Sequence, residues 1–160
     1  MTIDLAIPAR SRGGLAVVAR AAVDMLGRFP LPVLVLAFRV GVGMVFFKSA
    51  LTKLDGSWLV SDSAVALFRD EYKVPVLPPA LAAWLGTANE LLSALMVMAG
   101  LGARLGAAAL LGLVGVIQFL VYPGNWAEHL MWASLLAYVL TLGPGPLSLD
   151  HLIARRLLGR

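Results

Sequence analysis

Long apolar stretches separated by short turns make up most of this chain. Four of them approach the roughly 20 residues that a membrane-spanning helix requires. They cover residues 32–51, 78–100, 105–121 and 126–142. The turns between the last three are short and rich in glycine, so these helices must run antiparallel to their neighbours. The pattern predicts an all-α integral membrane protein, in which residues 31–143 form an antiparallel bundle of four transmembrane helices.

Both ends of the chain have a different pattern, in which apolar residues at helical spacing alternate with arginines. Helices of this kind lie in the membrane surface, with the apolar face in lipid and the basic face toward phosphates. We therefore expect residues 1–30 to be a cytoplasmic amphipathic arm and residues 144–160 a cytoplasmic C-terminal tail.

The long connection of residues 55–77 predicts a further helix outside the membrane. Ser61 begins a polar sequence suited to helix capping, and the residues that follow are apolar at helical spacing. The apolar positions are Val65, Phe68 and Tyr72. The segment is expected to form an external amphipathic helix over one end of the bundle, as a lid on the apolar helix ends. The adjacent Arg69, Asp70 and Glu71 suggest a second role, the docking of a periplasmic partner protein.

Composition agrees with a membrane protein. Hydrophobic residues make up 60% of the 160 residues and charged residues 14%, and the mean hydropathy is +0.87. So few charges could not cover the surface of a soluble domain, whereas lipid removes that requirement. Cysteine is absent, which excludes disulfides, thiolate metal sites and a dithiol relay.

The basic residues predict the orientation of the chain. Most of them flank the same side of the predicted bundle, which also holds both termini. They are Arg10, Arg12, Arg20, Arg28, Arg104, Arg155, Arg156 and Arg160. The positive-inside rule then gives a multi-pass protein of the bacterial inner (plasma) membrane with both termini cytoplasmic. The net charge of +4 follows from this topology, and without an aromatic platform among the arginines it does not indicate nucleic acid.

Glu90 is an acid near the middle of the second apolar stretch, where a charge needs a partner or a function. At about 1.5 Å per residue, Arg39 and Glu90 lie about 10 and 15 Å from the same end of the bundle, so we expect them to pair. Thr87 and Ser93 continue a polar stripe through Glu90, with Asn89 beside it. The intramembrane polar site is either a structural Arg–Glu bridge that fixes helix register, or a proton or ligand site at Glu90.

A second polar set is predicted at the outer mouth of the bundle. Its members are Lys48, Lys53, Gln118, Tyr122, Trp126, Glu128 and His129. One lysine is expected to reach the headgroups and the other to pair with Glu128. Trp58, Trp126 and Tyr122 fit an interfacial aromatic belt, with a ring-binding platform as the alternative. His129 and Glu128 are adjacent and point about 100° apart, so we expect His129 to be hydrogen-bonded structure and predict no metal site.

Several motifs together resemble one known family. They are FFKSALTKLDGSW, LFRDEYKVPVLPPALAAWLGTANELL, IQFLVYPGNWAEHLMWASLLAYVL and LGPGPLSLDHL. These stretches, between Val33 and Leu152, are similar to the DoxX family of small four-helix bacterial membrane proteins. The resemblance implies an inner-membrane bundle. It also implies a link to quinol oxidase, to oxidative-stress complexes or to copper-peptide gene neighbourhoods.

Two functional hypotheses follow. In the first, the protein is an accessory or scaffold subunit of a membrane redox or stress-response system, either quinone-linked or metal-stress-linked. In the alternative, it is a small transporter or quinone-reactive enzyme that uses Glu90 as a proton site. No autonomous catalytic residues are assigned, and the sequence requires no cofactor, although it leaves quinone open. The expected partners are the lipid bilayer and a periplasmic or membrane protein; homo-oligomers stay open.

Overall fold

A computed structural model of the chain describes residues 10–159. The described residues form helices and turns without a β-strand. The α-helices are α1 (Arg10–Gly27), α2 (Leu31–Thr52), α3 (Asp62–Leu67), α4 (Pro79–Ala99), α5 (Ala103–Val116), α6 (Trp126–Leu142) and α7 (Leu149–Leu158). A π-helical turn at Phe68–Tyr72 continues α3, and a second at Ile117–Val121 continues α5.

The chain divides into two compact units, Met1–Leu31 and Pro32–Arg160. The first unit contains α1, whose described apolar side chains, such as Val18 and Leu26, are exposed. Residues 1–9 of the predicted arm lie outside the described residues. The placement of this arm at a membrane surface stays a prediction.

The second unit confirms the all-α membrane bundle. Among the described residues, three helices are long and apolar enough to cross a membrane: α2, α4, and α5 with its π-helical extension to Val121. The apolar α6 has 17 residues, at the lower end of the spanning range. These helices correspond to the four apolar stretches of the sequence, and their bounds differ from the predicted ones by at most two residues.

Small residues allow α4 and α5 to pack closely. A Cβ added to Gly106 would lie 2.9 Å from both the Met96 Cβ and the Ser93 carbonyl oxygen, so only glycine fits this contact. In contrast, α2 meets α6 through large rings: Phe46 packs edge-on against Trp132, with ring centroids 5.4 Å apart. Large side chains hold the two helix backbones further apart than small residues do, and this leaves space between α2 and α6.

The bundle has two ends that differ in their connections. We call the end with residues 53–78 and 122–125 the long-loop end, and the end with residues 100–102 and 143–148 the tail end. At the long-loop end, the Ser61 hydroxyl accepts a hydrogen bond from the Ala64 amide and caps α3. The external helix therefore forms where the pattern predicted it. Phe68, in the following π-helical turn, packs with Ala82 and Ala83 of α4.

Candidate functional site

Glu90 is buried and forms an ion pair with Lys53. The Lys53 Nζ lies 2.7 Å from Glu90 Oε2, and the Ser49 hydroxyl donates to Glu90 Oε1 at 3.2 Å. Lys53 also donates to the hydroxyl and carbonyl oxygens of Ser49, at 2.8 and 3.3 Å. The three protons of the ammonium group thus have three acceptors. Each side chain is 6–7% exposed, so the pair is sheltered from solvent.

The predicted pairing of Arg39 with Glu90 is wrong. Arg39 instead donates to the carbonyl oxygens of Val97, at 3.5 Å, and Leu147, both toward the tail end. Side chains on a helix tilt toward its N-terminus, and α2 and α4 run in opposite directions. Arg39 therefore tilts toward the tail end and Glu90 toward the long-loop end, so they diverge although their depths are similar.

The same tilt explains why Lys53 is the partner of Glu90. Lys53 follows the last residue of α2, and its side chain points back along that helix toward Ser49. Glu90 tilts to meet it from α4. The prediction that one lysine pairs with Glu128 is also wrong. Lys53 pairs with Glu90, and Lys48 is exposed and has no ion-pair partner among the described residues.

The polar stripe of α4 faces the bundle. Thr87 and Ser93 are 1% and 5% exposed. Ser93 donates to the Asn89 side-chain oxygen at 2.8 Å, and the Asn89 amide donates to the Ala109 carbonyl at 3.2 Å. Asn89 and Ser93 therefore tie α4 to α5. The Thr87 hydroxyl is buried without a hydrogen-bond partner in the described part of the chain.

A cavity of about 190 Å³ lies beside Glu90, between α2, α4, α5 and α6. Two chains of aromatic rings line it. In the first, Phe68 contacts Tyr72 and Tyr72 contacts Tyr122, with centroid distances of 4.9 and 5.9 Å. In the second, Trp132 lies between Phe46 and His129, at 5.4 and 5.3 Å. The polar groups of Glu90 and Ser49 also line the cavity, so it combines flat apolar surfaces with a buried carboxylate.

His129 is 3% exposed and is oriented by Gln118. The Gln118 amide donates to the Pro123 carbonyl at 2.9 Å, which directs its oxygen toward His129 Nδ1, 2.6 Å away. Nδ1 must then carry the proton in the neutral ring, which leaves Nε2 as a hydrogen-bond acceptor. Nε2 makes no hydrogen bond to another described residue. His129 thus has a structural contact on one nitrogen and a free acceptor on the other.

Of the remaining four residues of the predicted outer-mouth set, two line the cavity. Tyr122 and Glu128 line it and are exposed. Trp126 is 56% exposed and stacks edge-on with Phe119. Lys48 does not line it. The cavity therefore brings together His129, Tyr122 and Glu128 with Glu90, which sequence reasoning had placed in a separate site.

The three residues predicted to dock a partner have different environments. Arg69 and Asp70 are exposed and pair with each other at 2.9 Å, which holds the pKa of the Asp70 carboxyl below its ordinary value. Glu71 accepts a hydrogen bond from the Tyr122 hydroxyl. This last contact joins the first π-helical turn to the residue that follows the second one, next to the cavity.

The hydrogen bond to Glu71 raises the pKa of Tyr122, with burial as the second cause, because a phenolate could not donate it. Folding thus favours the protonated phenol. Its contribution to stability is complete below the unfolded tyrosine pKa of about 10 and is lost as pH rises through the higher folded value. Burial also raises the pKa of Tyr72, so we expect an ultraviolet titration of the three tyrosines to show delayed titration of both residues, of which Tyr122→Phe removes the part that belongs to Tyr122. If the Tyr122→Phe curve differed from the wild-type curve only by the loss of a tyrosine with an ordinary pKa, the contact with Glu71 would be contradicted.

Sequence reasoning missed several cavity residues. Ser49 could have been found from its position four residues before Lys53, one helical turn away. Tyr72 had been assigned only to the apolar face of a lid, and Trp132 had been given no role within the fourth apolar stretch. Tyr72 lies in the first π-helical turn, so its place at the cavity depends on that turn. Such turns often occur at functional sites, but no residue pattern in this sequence predicts them.

Comparison with known families gives one match. A model of the DoxX family matches residues 34–123, which is more than half of the chain. The matched segment includes Ser49, Lys53 and Glu90, while His129 and Trp132 follow it. No curated protein and no solved structure gives a significant match to the chain.

Proposed function

The chain belongs to the DoxX family, and from this membership and the cavity beside Glu90 we propose that it binds a ring of the quinol class as an accessory subunit of a membrane redox system. The cavity supports this proposal by its size and walls. Apolar cavities of roughly 150 Å³ hold a benzene-sized ring, and this one has about 190 Å³. The rings of Trp132 and Tyr72 line it, and aromatic surfaces favour planar ligands through stacked or edge contacts.

The buried polar groups favour the reduced form of such a ring. Glu90 keeps unused lone pairs after its bonds to Ser49 and Lys53, and His129 Nε2 is also an acceptor. Two acceptors suit a ligand with two hydroxyl donors. A quinone would instead place its carbonyl oxygens against these acceptors, and unpaired buried acceptors cost free energy. This acceptor pair is the observation that carries the proposal.

Glu90 and His129 are also placed to receive the hydroxyl protons if the ring is oxidised. The electrons would pass to a partner subunit, since a chain without cysteine offers no thiol relay. A role beside a partner therefore fits better than autonomous catalysis, and it accommodates a stress-response setting. The exposed Arg69–Asp70 pair next to the cavity is a surface where such a partner would dock.

The orientation of the protein is part of the same proposal. The distribution of arginines supports a bacterial inner-membrane location with both termini in the cytoplasm. The long-loop end, with the cavity, would then face the periplasm. The Arg155 and Arg156 side chains of α7 are exposed and would meet anionic lipid on the cytoplasmic side.

We expect the purified protein to bind a tailless quinol, such as a methylated hydroquinone, more tightly than the matching quinone. Binding is measured by quenching of tryptophan fluorescence, and Trp132→Phe assigns the signal to the cavity. The Lys53→Met/Glu90→Gln double variant removes the carboxylate without leaving a lone buried charge. It should lose most of the preference for quinol, whereas Asp70→Asn, on the exposed surface, should keep it. Equal binding of quinol and quinone to wild type would contradict the proposal.

A further inference from the structure

An apolar groove of about 560 Å³ adjoins the cavity between α4 and α5. We call it the tail groove; besides its walls shared with the cavity, it is lined by Leu77, Ala82, Leu85, Asn89, Ala109 and Gly112. We propose that the tail groove holds the alkyl or prenyl chain of a lipid whose ring occupies the cavity. This inference rests on the proposed function and adds that the ligand is a membrane lipid, which enters laterally from the bilayer between α4 and α5.

The first argument is continuity. The tail groove and the cavity have five lining residues in common: Phe68, Val74, Gly86, Leu113 and Val116. The two spaces therefore adjoin, and a chain attached to a ring beside Glu90 has to pass only these side chains to enter the groove. Gly86 lies where the two spaces meet, and a Cβ there would come within 3.0 Å of the Phe68 ring. A side chain at this position would push against Phe68 and narrow the junction of the two spaces.

The second argument is polarity. Asn89 is the polar side chain of the groove, and its amide and oxygen are already bonded to Ala109 and Ser93. The remaining lining offers only apolar surface, such as the exposed Leu85. This surface lies on two helices with the length and apolar character of membrane spans, so its natural surroundings are acyl chains. A hydrocarbon tail fits it, and a polar solute does not.

A rival passage exists on the other side of α5. A groove of about 210 Å³ between α5 and α6 is lined by Gly115, Gln118 and His129 among others. It has only His129 in common with the cavity, and the imidazole and the buried amide make it more polar. The larger common wall and the apolar lining favour the tail groove.

The two passages can be blocked separately. A Cβ at Gly112 or at Gly115 would meet no atom within 4 Å, so a phenylalanine at either position can extend into the adjacent groove. Gly112→Phe blocks the tail groove, and Gly115→Phe is the matched control on the same helix. Ala109→Phe, one turn before Gly112 on α5, provides a second blocking variant if Gly112→Phe fails to fold.

We expect Gly112→Phe to weaken binding of a decyl-tailed quinol by about tenfold or more, since overfilling a packed space typically has an effect of this size. Binding of the tailless quinol should not change, and Gly115→Phe should leave both ligands unaffected. Tailed binding that survives Gly112→Phe and Ala109→Phe, or that is lost in Gly115→Phe, overturns the inference while the proposed function stands. A wild-type protein that binds neither quinol overturns both.

Discussion

We expect Lys53→Met to destabilise the protein by about 3–5 kcal/mol, the usual cost of leaving one partner of a buried ion pair without the other. Glu90, which is 5% exposed, would then keep only its bond to Ser49. Adding Glu90→Gln to Lys53→Met removes the unpaired charge and should recover most of this loss. Thermal unfolding in detergent, followed by circular dichroism, measures the stability of the two single variants and of the double variant. Together they form a double-mutant cycle.

The control for this cycle is Arg39. Because Arg39 and Glu90 have separate partners, Arg39→Met and Glu90→Gln should be additive within about 0.5 kcal/mol. Strong coupling of Glu90 to Arg39, with none to Lys53, would contradict the geometry described above. The comparison is informative because both cations are buried in the same bundle, at 0% and 5% exposure.

The helices were predictable because hydrocarbon length and apolarity are properties of the sequence itself. The apolar stretches end where helices end, and Ser61 and Ser148 cap the helices that follow them. The position of each residue along its helix was also predictable from residue counts. The partner of Glu90 was not predictable in this way. A residue count locates a position on the backbone, whereas contacts depend on the direction in which each side chain leaves the backbone. Antiparallel helices reverse that direction, which separates Arg39 from Glu90.

The cavity required information that a single helix does not contain. Its walls come from four helices and two π-helical turns, so Tyr72, Trp132 and His129 meet only once the bundle is assembled. Asp150 is a similar case at the tail end. Its carboxylate accepts hydrogen bonds from the amides of Gly102 and Ala103, at 2.8 and 3.1 Å, and so caps α5 from a distance of almost 50 residues along the chain.

The second large effect on stability is expected for a substitution at Gly100, at the tail end. Gly100 ends α4 with a φ of +71°. We expect Gly100→Ala to destabilise the protein by about 3 kcal/mol or more. The left-handed backbone alone costs a residue with a Cβ about 1–2 kcal/mol. The added Cβ would also collide with Arg39 Nη1 and lie 2.5 Å from the Ser148 Cβ. Arg39 would have to leave the Val97 and Leu147 carbonyls, and a hydrogen bond to a charged group contributes about 1.5–3 kcal/mol.

Gly41→Ala is the matched control for this substitution, because Gly41 lies within α2 and an added Cβ there would meet no atom within 4 Å. It should be neutral or stabilise the helix by about 0.5–1 kcal/mol. Both variants are compared with wild type by thermal unfolding in the same detergent. A Gly100→Ala protein as stable as Gly41→Ala would contradict the close packing of Arg39 and Ser148 against Gly100.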